Sequence, residues 1–302
     1  MKQTTFFEDS GCVWLKGNVH CHTTCSDGHL APEDALSAYQ QHGFDWMVIT
    51  DHNIFTNVHH QSKKEFLLLN GIELTTGWGP RIHVNVFWDN TFSPFSSDEK
   101  VSLSNPEETV SMLQSLKEQG CFLTLNHPHW SLLEPDYIDC GPFDAIEVYN
   151  HSTYRFDNMG LGTIFWDQML RRGYSLWGTA SDDNHNGAAL DSIGCDSFGG
   201  FTVVKARART ESAILEALFH GSFYASAGPD IYDFYIENST ATIHCSPCER
   251  IWFSVDGRRL KTVTGSYLTT LSVPLPPEGH YIRAECMDAA GRSAYTNPLF
   301  LK

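Results

Sequence analysis

Residues 44–53, FDWMVITDHN, decide how this chain folds. The first seven of them, FDWMVIT, form an apolar run of strand length bounded by polar residues, and so read as a buried strand. The run stops at Asp51 and His52, two side chains able to hold a cation. A helix precedes it at residues 32–42, with Pro32 near its start, Glu33 and Asp34 in the first turn, and Gly43 closing it. Before that helix, residues 14–20 read as another strand that runs into polar residues. A strand, a helix and a strand, with near-continuously apolar strands, predict a parallel sheet covered by helices.

The same rhythm continues outward. Residues 66–74, 82–88, 121–126, 145–149, 174–179 and 201–205 read as strands, and residues 106–119, 160–172 and 211–220 as helices. With so many repeats, a closed or nearly closed barrel is expected rather than an open sheet. The texture changes near Gly228. Short alternating runs such as IWFSV, LTTLSV and YIRAEC follow, separated by DGRR, PPEG and DAAGR. These are strand and turn signals without helices, so residues 229–302 read as a small antiparallel β-sandwich behind an α/β unit at 1–228.

Composition narrows the function. Of 302 residues, 41% are hydrophobic, enough for a sizeable core. The net charge of −16 argues against a surface that coats nucleic acid. Fifteen histidines is a high count for the commonest metal-binding side chain. Neither a signal peptide nor a membrane-spanning apolar run is visible. The nine cysteines are scattered, which suits a reducing cytoplasm. Cys245 and Cys248 form a lone CxxC without a second pair, and no metal or redox use is expected of them.

Ligand-type residues stand at the ends of successive strands. His20 and His22, one residue apart, project from one face of an extended chain. Asp27 follows in CSDG, Asp51 and His52 in ITDHN, Glu73 in GIELTT, His83 in RIHVNVF and His127 in LTLNHPHW; Asp182, Asp183 and His185 close the series in TASDDNH. Barrels of α/β type place their sites at the carboxyl ends of the strands, so residues remote in sequence can share one cleft.

In order and spacing, NVHCHTTCSDG, ITDHN, GIELTT, NHP and SDDNH resemble the polymerase-and-histidinol-phosphatase (PHP) family over the first two thirds of the chain. SFGGFTVV, GPDIY and the β-rich tail look like that family's carbaryl-hydrolase-like branch. The resemblance implies a distorted (β/α)7, TIM-like barrel with two or three divalent cations. It carries over His20, His22, Asp27, His52, Glu73, His83, His127, Asp183 and His185 as metal ligands. Asp182 could fill the last carboxylate position, but the family's Asp-x-His spacing favours Asp183. One ion would take His20, His22, Glu73 and Asp183. Glu73 would bridge to a second, held by His83 and His127, and a third would use Asp27, His52 and His185. Mixed nitrogen and oxygen donors suit Zn, Mn or Fe.

The chemistry expected is hydrolysis, with Glu73, Asp183 and His185 central. Water deprotonated beside a polarising cation would attack phosphorus in line, without a covalent intermediate. The substrate expected is a small phosphorylated metabolite or nucleotide. An amide, carbamate or ester is the alternative, because the same nucleophile attacks carbonyl carbon, and a non-catalytic metal-binding module is the third reading. A pocket lined by Arg and Lys would favour phosphate, an apolar one the carbamate. Asn53, His129 and Arg155 are candidate substrate contacts; Asp51, Asp182 and His129 are expected behind the ligands, and Glu147 in a structural role. An exposed edge strand of the tail offers a surface for homo-oligomerisation.

Overall fold

The computed structural model describes residues 2–76, 81–97 and 99–301. The chain opens with β1 (Val13–Asn18), α1 (Pro32–Gln41), β2 (Trp46–Val48), β3 (Leu67–Thr75) and β4 (His83–Trp88). Next come α2 (Pro106–Glu118), β5 (Phe122–Leu125), β6 (Ala145–Asn150), α3 (His151–Asp157), α4 (Thr163–Arg171) and β7 (Trp177–Ser181). The last part of the α/β region is β8 (Phe201–Ala206), α5 (Glu211–His220) and β9 (Phe223–Ser226). Strands alone follow: β10 (Ile231–Glu237), β11 (Thr240–Val255), β12 (Arg258–Pro274), β13 (Tyr281–Met287), β14 (Ser293–Thr296) and β15 (Leu299–Phe300).

The helices begin and end for local reasons. Pro106 opens α2 behind Asn105, whose side chain accepts the Glu108 amide at 2.9 Å. Thr210 caps α5 in the same way, and Gly221, with φ of 72°, ends it in the left-handed conformation. Asn150 caps α3 by accepting the Thr153 amide. That short helix, and the break before α4, are absent from the sequence reading, which has a single helix at 160–172.

The strands join into one mixed sheet in the order β10-β11-β13-β14-β9-β8-β1-β2-β3-β4-β5-β6-β7, with β12 on β11 and β15 on β13. The sheet is not the parallel one throughout that the sequence leads one to expect. Only β1–β2–β3 and β5–β6–β7 run parallel. β4 is antiparallel to both neighbours, and β8 is antiparallel to β1. The link from β3 to β4 is too short for the dozen or more residues that a parallel crossover needs.

The sheet is also not closed by a backbone ladder. Among the described residues, β7 meets β8 through side chains: the Thr202 hydroxyl accepts from the Ala180 amide (3.1 Å) and donates to its carbonyl (2.9 Å). Asn297 extends the seam, accepting from Gly178 N and donating to the carbonyls of Gly221 and Phe223. β14 pairs with β9, so hydrogen bonding runs from the α/β region into the β-rich tail without a break.

Apolar side chains fill the interior, with Trp46, Trp88 and Trp166 fully buried. No helix among the described residues is long and apolar enough to cross a membrane.

Candidate metal centre

The strand ends of the α/β region converge on one cluster of imidazoles and carboxylates. His20 and His22 follow β1, and both are fully buried. Their Nε2 atoms each lie 3.1 Å from Asp183 Oδ1, and 3.3 and 3.2 Å from Glu73 Oε2. Glu73, on β3, is the hub. His52 Nδ1 and His83 Nδ1 approach it at 2.9 Å and His127 Nε2 at 3.6 Å. At the outer edge, Asp27 stands 3.7 Å from His22, 3.6 Å from His52 and 3.6 Å from His185. All nine expected ligands therefore meet in one place.

Donor atoms fall into sets within 4.8 Å of one another: His20, His22 and Glu73; His20, His127 and Asp183; His52, Glu73 and His83; and His22, Asp27, His52 and His185. His20, His22, His52 and Glu73 belong to two sets each, so the groups overlap more than the ligand sets drawn from the sequence, which share Glu73 alone. Asp183 faces the cluster from a left-handed backbone position (φ 54°). Asp182 turns away. Its carboxylate accepts from Tyr39 Oη and from the amides of Phe198, Gly199 and Gly200. Gly200 is needed there, since a Cβ would sit 2.0 Å from the Ser181 carbonyl. Gly28 does the same for the loop bearing Asp27, where a Cβ would meet the His22 carbonyl at 2.4 Å.

A ring of polar groups behind the ligands orients them. Glu147 takes His20 Nδ1 at 2.9 Å, the Asn150 amide at 2.9 Å, the His127 backbone N–H at 2.8 Å and the Ser181 hydroxyl. Asn126 donates to Glu73 Oε1 (2.8 Å) and Asn150 to Asp183 Oδ2 (3.0 Å). His127 Nδ1 lies 3.0 Å from Ser131 Oγ. Asp51 accepts from Thr23 N, and from the hydroxyls of Thr23, Ser26 and Thr56, which fixes the turn leading to Asp27. Asn126, Asn150, Ser131 and Ser181 escape the sequence reading because amides and hydroxyls carry no spacing signature. The one available signal is that Asn126 immediately precedes His127 at a strand end.

Electrostatics follows from burial and mutual proximity. Burial opposes the charge on Glu73, yet His20, His83 and His52 hold its carboxyl well below the usual range. Burial likewise opposes a charged His20, but Asp183, Glu73 and Glu147 raise it well above an ordinary imidazole. His83 is lowered, its burial outweighing Glu73. His185 is pushed up to about 9: burial works against its charge, and the bond to Asp27 overcomes it.

The donors fit a divalent cation centre. His20 Nε2, His22 Nδ1, Glu73 Oε2 and His83 Nε2 are buried without a hydrogen-bond partner. Buried, unpaired atoms of these types beside carboxylates are what cations would satisfy.

The candidate substrate residues lie differently. The Asn53 side-chain oxygen is taken by the Thr75 amide at 2.8 Å. His129 is exposed on the turn after β5. Arg155 donates to the Ile193 carbonyl and lines a cavity of about 700 Å³ with Lys16, His151 and Arg292. None of the nine converging residues lines that cavity. Beside the cluster itself stands Trp130, its ring 4.9 Å from His127 and 5.9 Å from His83.

No family model matches the chain. Its fold is shared with a two-domain protein from Bacteroides vulgatus containing a predicted PHP-like metal-dependent phosphoesterase. That likeness has a TM-score of 0.55 at 17% identity and covers 98% of both chains. A weaker likeness, with a TM-score of 0.40 at 14% identity, covers 56% of this chain and 87% of an amidohydrolase from Chromobacterium violaceum. In sequence, the chain is 31% identical over 74 residues to a 5′-3′ exoribonuclease of Haemophilus influenzae. That match spans 23% of this chain and 27% of the exoribonuclease.

Proposed function

We propose that this chain is a metal-dependent hydrolase of the PHP family, in its carbaryl-hydrolase-like branch, acting on phosphate esters of a small metabolite or nucleotide. The observation that carries this reading is the gathering of six histidines, Asp27 and Asp183 about Glu73, with buried side-chain atoms left unpaired. His20, His22, Glu73 and Asp183 would hold one ion, Glu73, His83 and His127 a second, and Asp27, His52 and His185 a third. Zn, Mn or Fe bound there would supply Lewis-acid polarisation of the substrate and of the attacking water. Residues 1–228 would form the catalytic unit, with 229–302 packed against it.

The chain's own groups have distinct tasks. Glu147 holds the Nδ1 side of His20 and leaves Nε2 aimed at the centre. Asn126 and Asn150 hold the carboxylates of Glu73 and Asp183 in fixed orientations. Asp27 and His185 stand at the open rim, where substrate would arrive. The names of the exoribonuclease and of the Bacteroides vulgatus protein favour phosphorus as the atom attacked.

A second reading has an observation of its own. Among the described residues, no Lys or Arg pairs with the cluster's carboxylates, and Trp130 forms an aromatic wall beside it. This suits an amide, carbamate or ester. A panel of nucleoside monophosphates, bisphosphates, p-nitrophenyl phosphate and an aryl carbamate, offered to Mn-loaded protein beside Glu73→Ala, separates the two. Phosphate release that vanishes in the variant supports the first reading, and carbamate turnover alone the second. Cations bound with nothing cleaved would turn the account towards a non-catalytic module.

A further inference from the structure

Three thiols meet in the β-rich part, remote in sequence from the histidine cluster. Cys245 and Cys248 lie on β11 and Cys286 on β13. Their sulfurs all fall within 4.8 Å of one another. All three are free, and none is more than 1% exposed.

Regular strand geometry would not assemble this group. Residues three apart on a strand point to opposite faces, so Cys245 and Cys248 should diverge. The ladder between β11 and β12 shifts register on both sides of Cys248, between His244 and Cys248 and again between Cys248 and Arg250. Pro247, which has no N–H to give to a ladder, sits within the first shift. A bulge re-aims a side chain; here both cysteines are buried despite their spacing. The third thiol comes from the neighbouring strand, where Cys286 pairs with Ile251. A core that needed only small apolar groups could fill this space from an unbroken strand. The interruption is what brings three sulfurs together.

We propose that Cys245, Cys248 and Cys286 form a second metal site, taking one thiophilic d10 cation, Zn(II) or Cu(I), independently of the histidine cluster. Binding converts three thiols to thiolates and releases three protons, and the cation offsets the charge so created. No His, Asp or Glu joins the group among the described residues. Three sulfurs alone suit Cu(I); for Zn(II), water would complete a tetrahedron. Pro247 is exposed directly over the bulge, so the site lies just beneath the surface. A cation there would tie the β11–β12 hairpin to β13.

The test is titration of the reduced full-length protein with Cd(II) and with Cu(I), following sulfur-to-metal charge-transfer absorption. Imidazole and carboxylate ligands do not give that band. The expected result is a band that saturates at one equivalent, with three sulfurs by X-ray absorption. It should vanish in Cys286→Ser and Cys248→Ser and persist in Glu73→Ala. Wild-type Tm should rise on loading while the serine variants stay flat, with far-UV circular dichroism and retained Mn confirming that those variants fold. No band at stoichiometric metal, or a band that survives Cys286→Ser in folded protein, would overturn the proposal. So would peptide mapping that finds two of the three joined as a disulfide which, once reduced, binds no metal.

Discussion

The candidate centre has an inner half and an outer half, and the two are built differently. Around Glu73, side chains are sealed: Glu73 itself is 0% exposed, His127 3% and Asp183 8%. Around Asp27 they are open, with Asp27 at 55%, His185 at 34% and His52 at 24%. Three inner ligands are held by buried partners: His20 by Glu147, Glu73 by Asn126 and Asp183 by Asn150. Asp27 has Ser26 and the histidines, without a comparable cage. Orientation in the inner half is therefore set by the fold, and cations there would be held by preformed geometry. The outer half faces water, so solvent and protons compete with a cation for its ligands.

The contrast can be broken most sharply at Glu73. Glu73→Gln keeps the shape and removes the charge shared by His20, His52 and His83. Hydrolysis should fall by on the order of 10³-fold or more, measured as product release from Mn-loaded enzyme. Activity within a few fold of wild type would mean that the inner half is not the catalytic centre.

One layer back, Glu147→Gln should weaken inner cation binding by about 10- to 100-fold, the usual effect of losing a carboxylate that orients a histidine ligand. Calorimetric titration would measure it. The affinity of the outer ion should change far less. Equal losses in both halves would erase the distinction between them.

Protons test the open half. His185 titrates at about 9 in the metal-free protein, so a cation must displace its proton at neutral pH. Affinity of the most weakly held cation should climb with pH, by up to about tenfold per unit, and level off above about 9. His185→Gln should flatten the climb. The linked stability has the opposite sign. Because the folded pKa is raised, the contribution of the Asp27–His185 pair to metal-free stability is present below about 6.5 and lost as pH rises through 9.

The smallest effect lies outside both halves, in the cavity that Arg155 lines. Burial, and then Arg155, depress His151 to about 4. A depressed folded pKa means that the unfolded chain takes up the proton first. Stability should drop as pH falls from about 6.5 towards 4, by on the order of 1–2 kcal/mol. Denaturant unfolding of wild type and His151→Gln across that range would measure it, and identical slopes would remove His151 as the cause.

Much of this was legible in the residues. Apolar runs mark β1 to β8, because burial on both faces leaves a plain signature, and only the four-residue β9 goes unmarked. The same runs carry no information on direction, so nothing in them marks β4 and β8 as antiparallel. The open seam at β7 depends on two side chains, Thr202 and Asn297, that look like any other polar residues. β11 and β12 are far longer than the short runs read from the sequence, because register shifts at Cys248 and Phe253 interrupt the alternation that marks a strand. Within the site, ligand-type residues announced themselves by chemistry and position. Glu147 shows in the sequence as a strand-end carboxylate, but its bond to His20 is a tertiary contact across 127 residues of sequence. The CxxC spacing carries no sign of Cys286, which lies on another strand.

Cations gathering around Glu73 are tested most directly by the Mn content of the purified, reconstituted protein beside Glu73→Gln. Mn(II) prefers oxygen and imidazole donors, so it reports the histidine cluster and leaves the thiols aside. At least two equivalents per chain in the wild type, falling by one or more in a folded Glu73→Gln variant, is the expected result. A wild-type protein that retains no Mn, Zn or Fe after reconstitution, or a variant that retains as much as the wild type, would contradict it.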